Sequence, residues 1–208
     1  MMDKIYGIRV PDHNSFSKTA TNLTMNDGAH SLLYHVTKEK FDFGFQYFLG
    51  NLSQDEDVRP VGWNTQFEYS LNNVNRVGFS YLAQSNTYSS QNMWALHWRA
   101  GILKGSSLMA EFGRVTKEFE SSDPKTSEYF FLQNHILLKR GLFALITYEQ
   151  FKDDVEQTAK TIKLGPGLQY FPFQGIETRI DVYNLRSISE ENYSNDTWSV
   201  AGQVHIWL

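Results

Sequence analysis

The chain has 208 residues with 19 basic and 23 acidic side chains spread along its length, a balance that offers no basic face for nucleic acid and no polybasic membrane anchor. It has no cysteine, which excludes disulfide frameworks, thiolate catalysis and cysteine metal sites. No apolar run approaches the roughly 18 residues of a membrane helix, yet 15% of the residues are aromatic at a mean hydropathy of −0.44.

Taken in chain order, the pattern has period two almost throughout. The length suits a single domain over 1–208. No signal peptide precedes Met1-Met2-Asp3-Lys4, so an exported form is expected to have lost its leader. A first strand is expected at 4–10, followed by the longest polar connection, 11–28. Strands at 29–37 and 40–49 flank a hairpin at Val36-Thr37-Lys38-Glu39-Lys40, and Phe41-Asp42-Phe43-Gly44-Phe45-Gln46-Tyr47 alternates cleanly. The segment 60–71 places Val61, Trp63, Phe67, Tyr69 and Leu71 on one face and Asn64, Gln66 and Glu68 on the other. Further strands are expected at 75–84, 91–102, 105–116, 127–139, 141–151, 158–170, 175–186 and 197–208. Met109, Phe131, Phe143 and Leu145 break the rule by falling on the polar face. Gly165-Pro166-Gly167 lies mid-strand, where it suggests a bulge or a sharp bend, not a phosphate loop.

The connections carry as much information as the strands. Asn72-Asn73-Val74-Asn75, Leu103-Lys104-Gly105, Lys139-Arg140-Gly141 and Phe171-Pro172-Phe173-Gln174-Gly175 are tight turns. They alternate with longer polar connections at 11–28, 50–59, 85–90, 117–126, 152–157 and 187–196. Tight turns on one end and long loops on the other is the arrangement of a transmembrane barrel. A soluble sandwich or a lipocalin-like barrel would turn its apolar positions inward. Here the apolar face carries Trp63, Tyr69, Tyr81, Trp94, Trp98, Tyr170 and Trp198 near segment ends, as interfacial girdles do, while the opposite face is charged. The fold class read from these signals is all-β: a transmembrane antiparallel up-and-down β-barrel of about twelve strands with a polar interior.

The last segment, Trp198-Ser199-Val200-Ala201-Gly202-Gln203-Val204-His205-Ile206-Trp207-Leu208, resembles the terminal strand of bacterial outer-membrane β-barrel proteins. Leu208, Ile206, Val204, Val200 and Trp198 match the family's alternating apolar positions. Gly202 interrupts them, and Leu208 stands where the family most often has an aromatic residue. The resemblance implies an outer-membrane location among lipid and lipopolysaccharide, and recognition of this strand by the barrel-assembly machinery. By size the chain looks like the small twelve-stranded porins that pass acidic sugars, although it shares no motif with them.

Inward parity is expected for Asp42, Glu68, Arg76, Arg99, Glu111, Glu149, Lys163, Glu177, Arg179 and Asp181, which are taken as pore-lining. The bland alternative is a network of ion pairs that fills and stabilises the interior. His97, His135 and His205 share this face without metal-ligand spacing and are read as hydrogen-bonded wall residues. Asn134-His135 and Asp153-Asp154 are the nearest approach to catalytic fragments, and neither forms a motif, so no enzyme is expected. The loop acids Asp55-Glu56-Asp57, Asp153-Asp154 and Glu190-Glu191 are read as solvated charge, with calcium or lipopolysaccharide bridging as the rival account. The function expected is a porin-like channel for passive diffusion of small hydrophilic solutes or ions, with no cofactor and with 11–28 as its constriction. The rivals are a non-conducting barrel that docks or sheathes another protein, and the C-terminal part of a larger barrel.

Overall fold

The computed structural model describes residues 16–21, 23, 28–189 and 194–207. A short helix, α1 (Phe16–Thr21), precedes eleven strands. These are β1 (Ser31–Lys38), β2 (Phe41–Phe48), β3 (Val61–Ser70), β4 (Asn75–Ser85), β5 (Ser89–Leu103) and β6 (Ser106–Phe119). They continue with β7 (Ser122–Lys139), β8 (Leu142–Lys152), β9 (Lys160–Phe173), β10 (Ile176–Ile188) and β11 (Ser194–Ile206). All belong to one antiparallel sheet in which the spatial order equals the sequence order, so every connection is a hairpin. Eleven of the expected strands are present; the one expected at 4–10 and the acids Glu190-Glu191 lie outside the described residues.

The polarity of this sheet is inverted relative to a soluble domain. Gln46, Asn64, Ser80, Gln133 and Thr147 are almost completely buried, whereas Phe45, Phe67, Phe79, Leu96, Ile146, Leu164 and Ile180 are exposed. In water this distribution would be untenable, since it buries hydrogen-bonding groups and wets the apolar ones. Against hydrocarbon both faces are satisfied. Ring pairs on the apolar face include Phe41 with Tyr69 at 4.9 Å and Trp63 with Tyr81 at 5.2 Å between centroids.

Two connections expected to be long are tight. The link between β4 and β5 is 86–88, and that between β6 and β7 is a two-residue turn at 120–121. The segment 117–126 is mostly strand: Thr116 pairs with Thr126 and Lys117 with Lys125, with one register shift before Phe119. Outside the apolar belt both faces of a strand meet water, so alternation vanishes from the sequence while the backbone ladder continues. Arg114 and Glu128, opposite each other there, form an exposed ion pair. At the other end the turns are as tight as expected, with Gly105, Gly141 and Gly175 at positive φ.

At Gly165-Pro166-Gly167 the bulge that was one of the two expectations is absent. Strand β9 runs through these residues with unbroken register on β8 and the same register on β10 before and after Pro166. What the glycines provide is room: a Cβ at Gly165 would collide with the carbonyl of Val182, and one at Gly167 with the carboxylate of Asp181.

Candidate functional site

The polar face holds three clusters of charge, two built across neighbouring or next-but-one strands and the third within a single strand. Glu68 on β3 is the hub of the first. It accepts from His97 Nε2 at 3.0 Å and from Arg99, both on β5, and lies 3.5 Å from Arg76 of β4. Arg76 and Arg99 are directly cross-strand from one another, an arrangement that repels unless a carboxylate lies between them. The His97 ring reaches across β4 because residue 78 is glycine; any Cβ there would strike the imidazole. The same device recurs where Tyr129 covers Gly113 on its way to Glu111, to which its hydroxyl donates at 2.8 Å.

The second cluster is Glu149 on β8 with Lys163 on β9, at 2.6 Å and with side chains 0% and 4% exposed. Lys163 also sits over the Tyr183 ring at 4.8 Å. The third is Arg179 with Asp181 on β10, at 2.6 Å and 2% exposed on each side. Glu177, two residues from Arg179 on the same face, pairs elsewhere: it accepts from Gln169 at 2.6 Å and lies 3.6 Å from His205. Asp42, beside the turn that opens β2, accepts from Thr37 at 3.0 Å and lies 2.8 Å from His35.

All ten residues singled out from the sequence therefore stand on the polar side of the sheet, but their environments differ. Glu149, Lys163, Arg179 and Asp181 are sealed into the wall, whereas the Arg76 and Arg99 side chains remain 47% and 43% exposed. Tyr129, which serves Glu111, and Tyr183, which touches both Lys163 and Arg179, carry no charge to mark them in the sequence; only strand parity shared with neighbours such as Asp181 does. Phe131 and Leu145, whose positions on the polar face looked anomalous, are fully buried there.

One end of this face is apolar. Phe48, Leu82, Met93, Ala95 and Val115, beside the longer connections, form a buried cluster with Ala20 of α1 and Ala29. The helix packs against β6, β7 and β8, and the Gln91 amide donates to the Thr21 carbonyl at 3.1 Å. Helix α1, in the described part of the 11–28 segment, thus lies over the polar face. Among the described residues no group of three or more His, Asp or Glu side chains is placed to hold a metal ion.

No known family profile matches the chain, and a search of curated proteins finds no relative by sequence. Solved structures do match. An anion-selective porin from Comamonas acidovorans superposes with a TM-score of 0.63 at 11% identity, over 84% of this chain and 57% of that one. The outer membrane channel DcaP of Acinetobacter baumannii gives 0.63 at 9% identity, over 86% of this chain and 62% of that one. The chain has a porin-type fold. It spans about three-fifths of the length of these two porins. A KdgM porin in complex with disordered oligogalacturonate aligns more loosely, with a TM-score of 0.49 at 13% identity over 86% of this chain and 91% of that one. On this sheet the polar clusters described above occupy the shielded side, and the exposed rings of Phe41, Phe45, Trp63, Phe67 and Phe79 the other.

Proposed function

We propose that this chain is a twelve-stranded outer-membrane β-barrel that acts as a narrow passive channel for small hydrophilic solutes or ions. The observation that carries the reading is the inverted polarity: a charged, hydrogen-bonded inner face behind an exposed aromatic and aliphatic belt. Strand parity supports the twelfth strand. β1 and β11 run in the same direction, so one more strand between them, antiparallel to both, completes an up-and-down barrel, and 4–10 has the alternation for it. Such a barrel resides in the bacterial outer membrane among lipid and lipopolysaccharide, with β11 as the strand offered to the assembly machinery.

Within this barrel the sealed pairs Glu149–Lys163 and Arg179–Asp181 are wall structure, and α1 with its apolar cluster narrows one end. The same burial is what favours the second reading, a non-conducting barrel that displays its connections to a partner. Ion preference in the channel comes instead from the half-exposed Arg76 and Arg99. Single-channel recording in planar bilayers tests both statements. Small, stable conductance is expected, and Arg99→Glu shifts the reversal potential toward cations. Folded protein that never conducts, in any lipid or salt, would leave the non-conducting reading in its place.

A further inference from the structure

Phe143, Phe171 and Trp207 form a run of aromatic rings on the polar side of the sheet, at its short-turn end. Phe143 shares its face with Thr147 and Glu149 on β8, Phe171 with Lys163 and Gln169 on β9, and Trp207 has the parity of Gln203 and His205 on β11. The ring centroids are 6.1 Å apart from Phe143 to Phe171 and 6.4 Å from Phe171 to Trp207. Two of the rings are pinned through the backbone to hairpin turns. The Phe171 N–H donates to the Gly141 carbonyl at 2.8 Å, and the Trp207 N–H to the Gly175 carbonyl at 2.9 Å.

Unlike Phe131 and Leu145, these rings are not sealed: Trp207 is 49% exposed, and Phe143 and Phe171 are partly exposed. Helix α1 packs elsewhere, on β6 to β8 beside the apolar cluster of the opposite end. Beside the row stand an amide, a carboxylate and an imidazole, from Gln169, Glu177 and His205; the amide donates to the carboxylate, and the imidazole lies 3.6 Å from it. An aromatic strip edged by hydrogen-bonding groups matches a ligand with apolar C–H faces and hydroxyl edges. The charged member of that trio is the Glu177 carboxylate, which repels an acidic sugar and leaves a neutral one as the match.

We propose that Phe143, Phe171 and Trp207 are a docking track for a neutral oligosaccharide at the short-turn mouth. The inference rests on the reading of this face as wet but not on conduction, because the row is reached from the short-turn end. The full chain refolded in detergent, with Trp63, Trp94, Trp98 and Trp198 replaced by Phe, leaves Trp207 as the reporter. Titration with maltotriose or raffinose should give a saturable change in its emission. Phe171→Ala should weaken binding roughly three- to tenfold, the loss expected on removing one aromatic ring, and Phe171→Tyr should restore it. Calorimetry on the chain with its native tryptophans guards against misfolding caused by the replacements. No saturable signal in folded protein, or binding indifferent to Phe171→Ala, would overturn the proposal. Brominated lipid separates the two levels of failure. Quenching of Trp207 as strong as that of Trp198, measured in a companion variant that keeps only Trp198, would place the row in lipid and sink the wet-face reading as well. An unquenched Trp207 with no sugar response would sink the track alone.

Discussion

At the scale of single residues, the inner face is governed by desolvation. Glu149 and Lys163 are as buried as core leucines, so each depends on the other for its charge to be tolerable. Lys163→Met leaves a carboxylate sealed without its cation, and a loss of about 3–5 kcal/mol is expected in urea unfolding from vesicles. Pairing it with Glu149→Leu should recover most of that loss; a double variant no more stable than the single one would mean that the pair is not the source of the cost. Glu68 is a different case. Its partners Arg76 and Arg99 are half exposed, so solvent screens what the carboxylate leaves behind. Gly78→Ala attacks this hub through sterics alone, since the added Cβ pushes the His97 ring away from Glu68, which it now approaches to 3.0 Å. A cost of roughly 1–3 kcal/mol is expected by the same unfolding measurement. An unchanged stability would mean that the ring has room to turn aside.

At the scale of elements, β6 and β7 behave as a hairpin that outgrows the apolar belt. Thr116 and Thr126 hydroxyls meet at 3.1 Å, the Val155 N–H donates to the Thr126 carbonyl at 2.8 Å, and the Ser127 hydroxyl donates to the Asp153 carbonyl at 2.7 Å. These bonds tie the projecting part of β7 to the 153–159 connection. Amide hydrogen exchange should therefore be slow at 114–117 and 126–129 and fast in the 49–60 connection. Fast exchange throughout 114–129 would return that stretch to the loop that its polarity alone suggests.

At the scale of the whole molecule, the charges in the connections lean basic at the short-turn end and acidic at the other, with Glu39 and Arg59 as exceptions. Lys38, Lys40, Lys104, Lys139 and Arg140 stand in or beside the short turns, whereas Asp55, Glu56, Asp57, Asp153, Asp154 and Glu156 stand in the longer connections. In the proposed outer-membrane setting the longer connections face outward. A cysteine introduced at Asp55 should then react with an impermeant maleimide on intact cells, and one at Lys139 should not; the chain has no native cysteine to confuse the result. The reverse pattern would invert the topology. Spin labels at alternate positions of β3 test the faces themselves. Trp63 and Phe67 should report lipid, and Asn64 and Glu68 a polar surround.

The sequence by itself determined the period, the strand count within the described residues, most of the tight turns and the side on which each charge falls. Those are local quantities: a pleated strand alternates its side chains whatever surrounds it, and a hairpin turn is written in its own few residues. Alternation could not say that Arg179 pairs with Asp181 instead of Glu177, because partner choice depends on rotamers and on space left by Gly167 across the ladder. Nor could it separate sealed charges such as Lys163 from open ones such as Arg99, since burial depends on which side chains from other strands pack over each position, as the Tyr183 ring does at Lys163. The strand ends within 117–126 were illegible because, Phe119 and Pro124 apart, their residues are polar on both faces. The run from Phe143 to Trp207 was only half visible: Phe143 stood out as an apolar residue on the polar face, but its neighbours come from strands far apart in the chain. Only the folded sheet brings the three rings together, because antiparallel pairing sets residues 143, 171 and 207 at the same end of adjacent hairpins.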